Sequence, residues 1–158
     1  MNDLRAAKDA DVERIADIWY QGWLGAHVGR VPDALVEHRQ PSHFRELAAK
    51  RVPLTTVAVI DDQVAGFVTV HDDEVEQIYV AADARGGGVA GALLRFAEEA
   101  IAQRFDAAWL AVVAENARAR RFYERNGWRD GGAFDYSAEA SGGRIPVPCR
   151  RYEKELTR

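Results

Sequence analysis

The run Arg85-Gly86-Gly87-Gly88-Val89-Ala90-Gly91-Ala92-Leu93-Leu94 places a glycine cluster ahead of a helix-forming apolar stretch, just behind the strand-like Glu76-Gln77-Ile78-Tyr79-Val80. The chemistry that suits such a junction is anion binding. Glycines permit positive φ and let an anion reach the amides without meeting a Cβ. The first turn of a helix leaves four N–H donors unpaired, and the helix dipole adds roughly half a positive charge there. A diphosphate is the natural occupant.

Several phosphate-binding patterns compete for these residues. No Gly-Lys-Ser/Thr follows the glycines, which excludes a nucleoside-triphosphate loop. Gly86, Gly88 and Gly91 satisfy Gly-x-Gly-x-x-Gly, and Asp106 lies roughly 20 residues on, where a dinucleotide fold carries its ribose-binding acid. In that fold, however, the acid closes the second strand, whereas Asp106 precedes the strand-like Ala107 to Val113. Five residues also separate Val80 from Gly86, where a tight turn is expected. The spacing argues against NAD.

Arg85, Gly88 and Ala90 also fit Gln/Arg-x-x-Gly-x-Gly/Ala, and Asn116-Ala117-Arg118-Ala119-Arg120-Arg121-Phe122-Tyr123-Glu124-Arg125-Asn126-Gly127-Trp128 fits Asn-x-x-Ala-x-x-Phe-Tyr-x-x-x-Gly-Phe. In order and spacing these blocks resemble the GNAT superfamily of acetyl-CoA-dependent N-acetyltransferases. The resemblance covers residues 55 to 130 well, is looser at the N-terminal opening and says least about residues 22 to 52. Ala82 departs from a common proline and Gly87 from a common basic residue, and neither removes an amide that would face phosphate.

The resemblance implies an α/β (α+β) fold: a mixed, mostly antiparallel sheet of six to seven strands, about four flanking helices and a splayed parallel strand pair. It implies direct transfer of an acetyl group from acetyl-CoA to an amine. Cofactor contacts would come from Ile78, Tyr79 and Val80 in the strand, from Arg85, Gly86, Gly87, Gly88, Val89, Ala90 and Gly91 in the loop, and from Asn116 and Arg121. Arg85 would brace the loop while amides bind. Asn116 is equally suited to capping a helix. Tyr123 matches the tyrosine that protonates the departing sulfur, a phenol with a free pKa of about 10; its structural alternative is a side chain at the core edge. Glu74, with Glu76 as the alternative, is placed as general base, directly or through water; both are expected on the strand face shared by Ile78 and Val80. Trp23 and His27 would line the acceptor pocket, although Trp19, Trp23 and His27 at four-residue spacing also describe a core stripe.

These residues need elements to position them. Leu4 to Ala7 reads as a short edge strand, and Asp9 or Asp11 caps a helix with apolar positions Val12, Ile15, Ile18, Trp19 and Trp23. Gly22, Gly25 and Gly29 are expected to loosen the segment that follows, with short helices starting at Pro32-Asp33 and Pro41-Ser42 and the whole forming a lid. Thr55 to Ile60, Val64 to His71 and Val75 to Val80 read as an antiparallel meander. The helix after the glycines carries Leu93, Leu94, Ala97 and Ile101 inward and leads to the strand Ala107 to Val113, which implies parallel pairing across a right-handed crossover. Trp128 to Tyr136 and Ile145 to Leu156 close as a hairpin around Ser137 to Arg144. Pro146 and Pro148 favour an edge or bulged strand there.

Length and composition agree with a single domain over 1–158, which the resemblance makes an N-acetyltransferase domain: 47% hydrophobic residues suffice for a core without staples. Cys149 is the only cysteine, so no intrachain disulfide forms, and a cytoplasmic location is expected. It reads as an inert thiol. The four histidines lack metal-ligand spacing, so no metal is expected. A net charge of −4 gives no electrostatic reason to bind nucleic acid, and no apolar run suits a membrane. The expected partners are acetyl-CoA, a small-molecule amine and, in the manner of many relatives, a second copy as a homodimer. A peptide N-terminus as acceptor, or a noncatalytic acyl-CoA-binding module, stands as the alternative.

Overall fold

Strands form where apolar residues alternate or run unbroken, and positive-φ aspartates turn the second strand into the third and the third into the fourth. Asp3–Ala6 (β1), Thr55–Ile60 (β2), Gln63–His71 (β3) and Glu74–Val80 (β4) pair antiparallel in sequence order. Asp61 and Asp62, at φ 51° and 64°, make the two-residue turn between β2 and β3. The computed structural model describes residues 3–27, 29–30, 32–140 and 143–157, and for residues 26, 27, 38, 139 and 140 it describes the backbone alone.

Ala107–Val113 (β5), Arg129–Ala140 (β6) and Gly143–Glu155 (β7) complete a seven-stranded sheet in the order β1-β2-β3-β4-β5-β7-β6. Only β4 and β5 run parallel, and they join at the single pair Glu74–Trp109. There the Trp109 amide donates to the Asp73 carbonyl (3.0 Å) and its indole to the Asp73 carboxylate (3.2 Å). Beyond that clasp the two strands part company. The expected splayed pair is present.

Helices Val12–His27 (α1), Asp33–His38 (α2) and Pro41–Arg51 (α3) cover the front of the sheet; Val89–Ala102 (α4) and Ala117–Arg125 (α5) cover the back. The front core gathers Ile15, Trp19, Trp23, Leu35, Phe44, Val57 and Phe67; the back core gathers Val68, Leu93, Leu94, Ile101, Leu110, Tyr123 and Tyr152. Asp11 ties β1 to α1 by accepting twice from Arg5 (2.8 and 3.0 Å) and once from the Lys8 amide (2.8 Å).

Two expectations for the front layer change. Gly22 and Gly25 do not loosen the chain: α1 continues through both to His27. A Cβ on Gly22 would come within 2.4 Å of the Tyr79 ring, so the glycine marks a close approach between helix and sheet rather than a break. Nor is the segment a separate lid, because Leu35 of α2 and Phe44 of α3 are among the most deeply buried side chains of the core. In the last hairpin the strands reach Ala140 and resume at Gly143, so the loop is far tighter than Ser137 to Arg144. Residues 141 and 142 lie outside the described set. Pro146 and Pro148 sit in β7, which is flanked by β5 and β6, yet β5 ends opposite Cys149. The prolines therefore lie where β7 has lost one neighbour and a missing N–H leaves no ladder gap. No helix among the described residues is long and apolar enough to cross a membrane.

Candidate active site

β4 carries one residue too many for its partner. Thr69 faces Gln77 while Val70 faces Val75, so Glu76 is the extra residue of a β-bulge. A bulge of this kind shifts the phase of everything after it. Val75, Ile78 and Val80 pack in the back core and Tyr79 in the front core, while Glu74 and Glu76 find partners on front-face residues. The expectation that both acids share a face with Ile78 and Val80 is thus corrected, since the bulge interrupts the period-two alternation between them.

The backbone follows the same phase. The Ala81 amide donates to the Ala65 carbonyl (2.8 Å), which makes Val80–Gly66 a non-hydrogen-bonded pair and Tyr79–Phe67 the bonded one. The peptide groups of Ile78 and Val80 consequently point away from β3 into the opening, and those of Tyr79 do not. On the other side, Leu156 donates to Asp106 (2.8 Å), which sets Ala107, Trp109, Ala111 and Val113 with their peptide groups toward β4. The Val113 carbonyl accepts from the Asn116 amide (2.9 Å), leaving Ala111 as the β5 residue aimed fully into the gap.

The divergence opens a cleft of about 1020 Å³ that passes between the strands from one face of the sheet to the other. At the back, Gly86 and Gly88 hold φ of 85° and 80°, and Gly88 is the left-handed N-cap of α4. A Cβ on either would meet nothing within 4 Å, so the space in front of the loop is open. The first bonded amide of the helix is Ala92, to the Gly88 carbonyl (3.0 Å), so the amides of Val89, Ala90 and Gly91 open α4 without an intrahelical acceptor. The glycine loop and the first-turn amides of α4 thus meet at one open surface, a fit for a diphosphate. Asn116 caps α5 by accepting from the Ala119 amide (3.2 Å). Arg118, Arg121 and Arg125 line the same end, whereas Arg120 is held by Tyr152, Ala114 and Asp130 (3.0–3.1 Å).

Tyr123 projects from α5 into the cleft between Trp128 and Tyr152, 8% exposed, and burial pushes its phenol well above the ordinary tyrosine pKa. Tyr79 approaches from the front face against Gly22, and burial raises its phenol similarly, with the Tyr123 phenol acting in the same sense and Arg39 opposing.

At the front, Glu74 accepts a hydrogen bond from the Tyr136 hydroxyl (3.0 Å). Burial raises the Glu74 pKa, and the Tyr136 bond opposes that shift. The Tyr136 phenol is raised in turn by burial and by the Glu74 charge. Glu76 is ion-paired with Arg51. Trp23 is both core and wall: its ring lies 5.8 Å from Phe44 and it lines the cleft. Burial pushes the Cys149 thiol up to about 11, which leaves it protonated at neutral pH.

Of the residues singled out from sequence, Glu74, Tyr123, Trp23, Ile78, Tyr79, Val80, Arg85, Gly86, Gly88, Val89, Ala90, Gly91, Asn116 and Arg121 line this one cleft. Gly87 belongs to the loop but not to the lining, and the His27 side chain lies outside the described residues. Tyr136, Arg39 and Ala111 were not foreseen. Tyr136 carries no motif, and its only signal is alternation with Phe134 on a strand. Among the described residues no group of His, Cys, Asp and Glu side chains is placed to hold a metal.

Residues 13–128 match the family described as Acetyltransferase (GNAT) family. The fold matches the PaiA N-acetyltransferase of Thermoplasma acidophilum in complex with coenzyme A, at TM-score 0.73 and 17% identity over 99% of each chain. It matches YncA of Salmonella typhimurium with its cofactor acetyl-CoA, at TM-score 0.71 and 17% identity over 100% of this chain and 95% of that one. It also matches the ribosomal-protein-alanine N-acetyltransferase of Brucella melitensis, at TM-score 0.73 and 20% identity over 98% and 99%. No curated protein matches the sequence.

Proposed function

The chain belongs to the GNAT acetyltransferase family and is an acyltransferase, and from that premise we propose that it moves the acetyl group of acetyl-CoA directly to a primary amine of a small molecule. The observation that carries the reading is the convergence of the first-turn amides of α4, residues 89 to 91, with the outward peptide groups of Ile78, Val80 and Ala111 in one cleft. Two matched neighbours hold coenzyme A or acetyl-CoA, which supports the choice of donor.

In this reading the diphosphate lies on the α4 amides and the pantetheine arm runs between β4 and β5, pairing with their outward peptide groups. Asn116 and Arg121, which line the same cleft, would flank that path. The amine nitrogen attacks the thioester carbon; the carbonyl oxygen takes the charge, and a β4 peptide N–H stabilises it. Losing one such donor typically costs about 3–4 kcal/mol. Glu74 takes the proton from nitrogen, directly or through a water, and its raised affinity for a proton suits it to that task. The C–S bond then breaks and the thiolate departs. Tyr123 keeps its proton throughout the neutral range and donates its O–H to the developing thiolate. No acyl-enzyme is required, because proximity in the ternary complex supplies the acceleration, and Cys149 is a poor nucleophile while protonated.

Calorimetry with acetyl-CoA and free CoA, followed by CoA release with a panel of amines, tests the proposal. Saturable heat with both ligands and release with at least one small amine are expected. No heat from folded protein refutes it. Binding without release for any amine, peptide N-termini included, points to the noncatalytic module, and release with peptides alone to an N-terminal acetyltransferase.

A further inference from the structure

The last strand of the sheet reaches the helix that carries Tyr123, and we propose that Tyr152 of β7 is a positioning residue for the reaction. Its hydroxyl, clamped between Arg120 and Glu124, fixes the angle at which α5 presents the Tyr123 phenol to the departing sulfur. The inference rests on the transferase reading above, with Tyr123 as proton donor, and names the side chains that aim it.

Helix α5 has only nine residues, and Tyr123 is its one fully buried side chain. A helix that short does not hold itself in water, where about 12–15 residues are needed. Its single deep anchor is also the reacting group, so any roll about the helix axis would carry the phenol off the sulfur, and a misplacement of about 1 Å can cost about 100-fold in rate. Tyr152 opposes that roll. It is fully buried, with its ring centre 6.2 Å from that of Tyr123. Its hydroxyl accepts from Arg120 Nε (3.1 Å) and donates to the Glu124 carboxylate. Arg120 and Glu124 stand one turn apart with Tyr123 between them, so one hydroxyl grips both ends of the turn that bears the acid. A guanidinium only donates and a carboxylate only accepts, which fixes the direction of both bonds. Burial and the Glu124 bond raise the Tyr152 phenol, with Arg120 opposing, and the proton of the second bond stays in place. Arg120 carries the grip outward: it donates to the Ala114 carbonyl (3.0 Å) in the turn after β5 and to the Asp130 carboxylate (3.1 Å) of β6, which also accepts from Arg150 of β7 (3.0 and 3.1 Å).

The test measures single-turnover CoA release, with an amine that the panel above selects, in wild type, Tyr123→Phe, Tyr152→Phe and the double variant. Tyr152→Phe should slow release about 5-fold, with acetyl-CoA affinity by calorimetry unchanged within about 2-fold. In the Tyr123→Phe background the same change should cost less than about 2-fold, because no acid is left to aim. Glu124→Ala should slow release about 3-fold, and Glu124→Gln, which keeps an acceptor for the hydroxyl, should restore it. If circular dichroism shows Tyr152→Phe unfolded, Glu124→Ala takes its place in the cycle, since Glu124 lies on the exposed side of α5. Wild-type release in Tyr152→Phe, an equal loss in both backgrounds, a loss of acetyl-CoA affinity in place of rate, or Glu124→Gln no faster than Glu124→Ala overturns the inference and leaves the transferase reading standing. Wild-type release in Tyr123→Phe removes the acid assignment and the inference with it. Release with no amine removes the transferase reading itself.

Discussion

At the back of the cleft the groups that face an incoming molecule are peptide amides of the glycine loop and of the first turn of α4, close together in the chain and set by the positive φ of Gly86 and Gly88 and by the helix start. At the front they are the side chains of Glu74, Tyr136 and Arg39, which come from β4, from β6 and from the end of α2. The back depends on local geometry that one turn encodes. The front depends on how three distant segments meet. Changes at the two ends should therefore fail differently: at the back by losing the donor molecule, at the front by losing turnover or acceptor choice.

The largest effect is expected from Gly88→Val. A β-branched residue at φ 80° is strained, and its side chain would enter the open space before the amides. Acetyl-CoA affinity should fall by about 100-fold, or about 2.7 kcal/mol, measured by calorimetry. Because a Cβ there meets no protein atom, the circular dichroism spectrum should stay that of wild type. Unchanged affinity would mean that the back end does not bind through its backbone.

Glu74→Gln comes next, and it acts on turnover while leaving donor affinity intact. As general base, Glu74 works when deprotonated, so kcat/KM should decline as pH falls through its raised pKa. The Gln variant should lose about 100-fold at neutral pH and flatten that acid limb. Tyr136→Phe sharpens the assignment with a smaller effect. Its hydrogen bond holds the Glu74 pKa down, so its removal should move the acid limb to higher pH. A limb that stays in place would detach Tyr136 from the chemistry. Tyr123→Phe tests the leaving-group side: a fall in kcat of about 10-fold with donor affinity unchanged is expected, measured by CoA release under saturation.

The same division explains what could be read from the chain. The glycine loop, the strands and the α5 block follow from spacing, because turns, alternation and caps are local. Thr55–Ile60 and Ala107–Val113 fall where their apolar alternation and runs end. The bulge at Glu76 is not local: the strand reads as unbroken alternation, and only its register against β3 shows the phase shift that leaves Glu74 on the front while the Ile78 and Val80 side chains pack at the back. Arg39 and Tyr136 carry no pattern, and their proximity to Tyr79 and Glu74 comes from packing across the sheet. Gly22 misled for the same reason. In isolation a glycine inside a helical run suggests a break, and the Tyr79 ring that explains it lies far away in sequence.

Gly22→Ala is the smallest and most discriminating change, because two effects of similar size oppose each other. Alanine should stabilise α1 by about 1 kcal/mol relative to glycine. The added Cβ, however, would stand 2.4 Å from Cδ1 of Tyr79 and 3.0 Å from Cε1, and overpacking of that kind costs about 1–3 kcal/mol. The Tyr79 backbone is bonded to Phe67 across the β3–β4 ladder and cannot retreat, so the ring must turn toward the cleft it already lines. The net change in melting temperature should therefore be small, while the front mouth narrows. The acceptor KM should rise several-fold with acetyl-CoA affinity unaltered, as steady-state kinetics and calorimetry on the same preparation would register. If donor affinity changed instead, Tyr79 would belong to the back of the cleft, and the division between a backbone-built end and a side-chain-built end would have to be redrawn through β4.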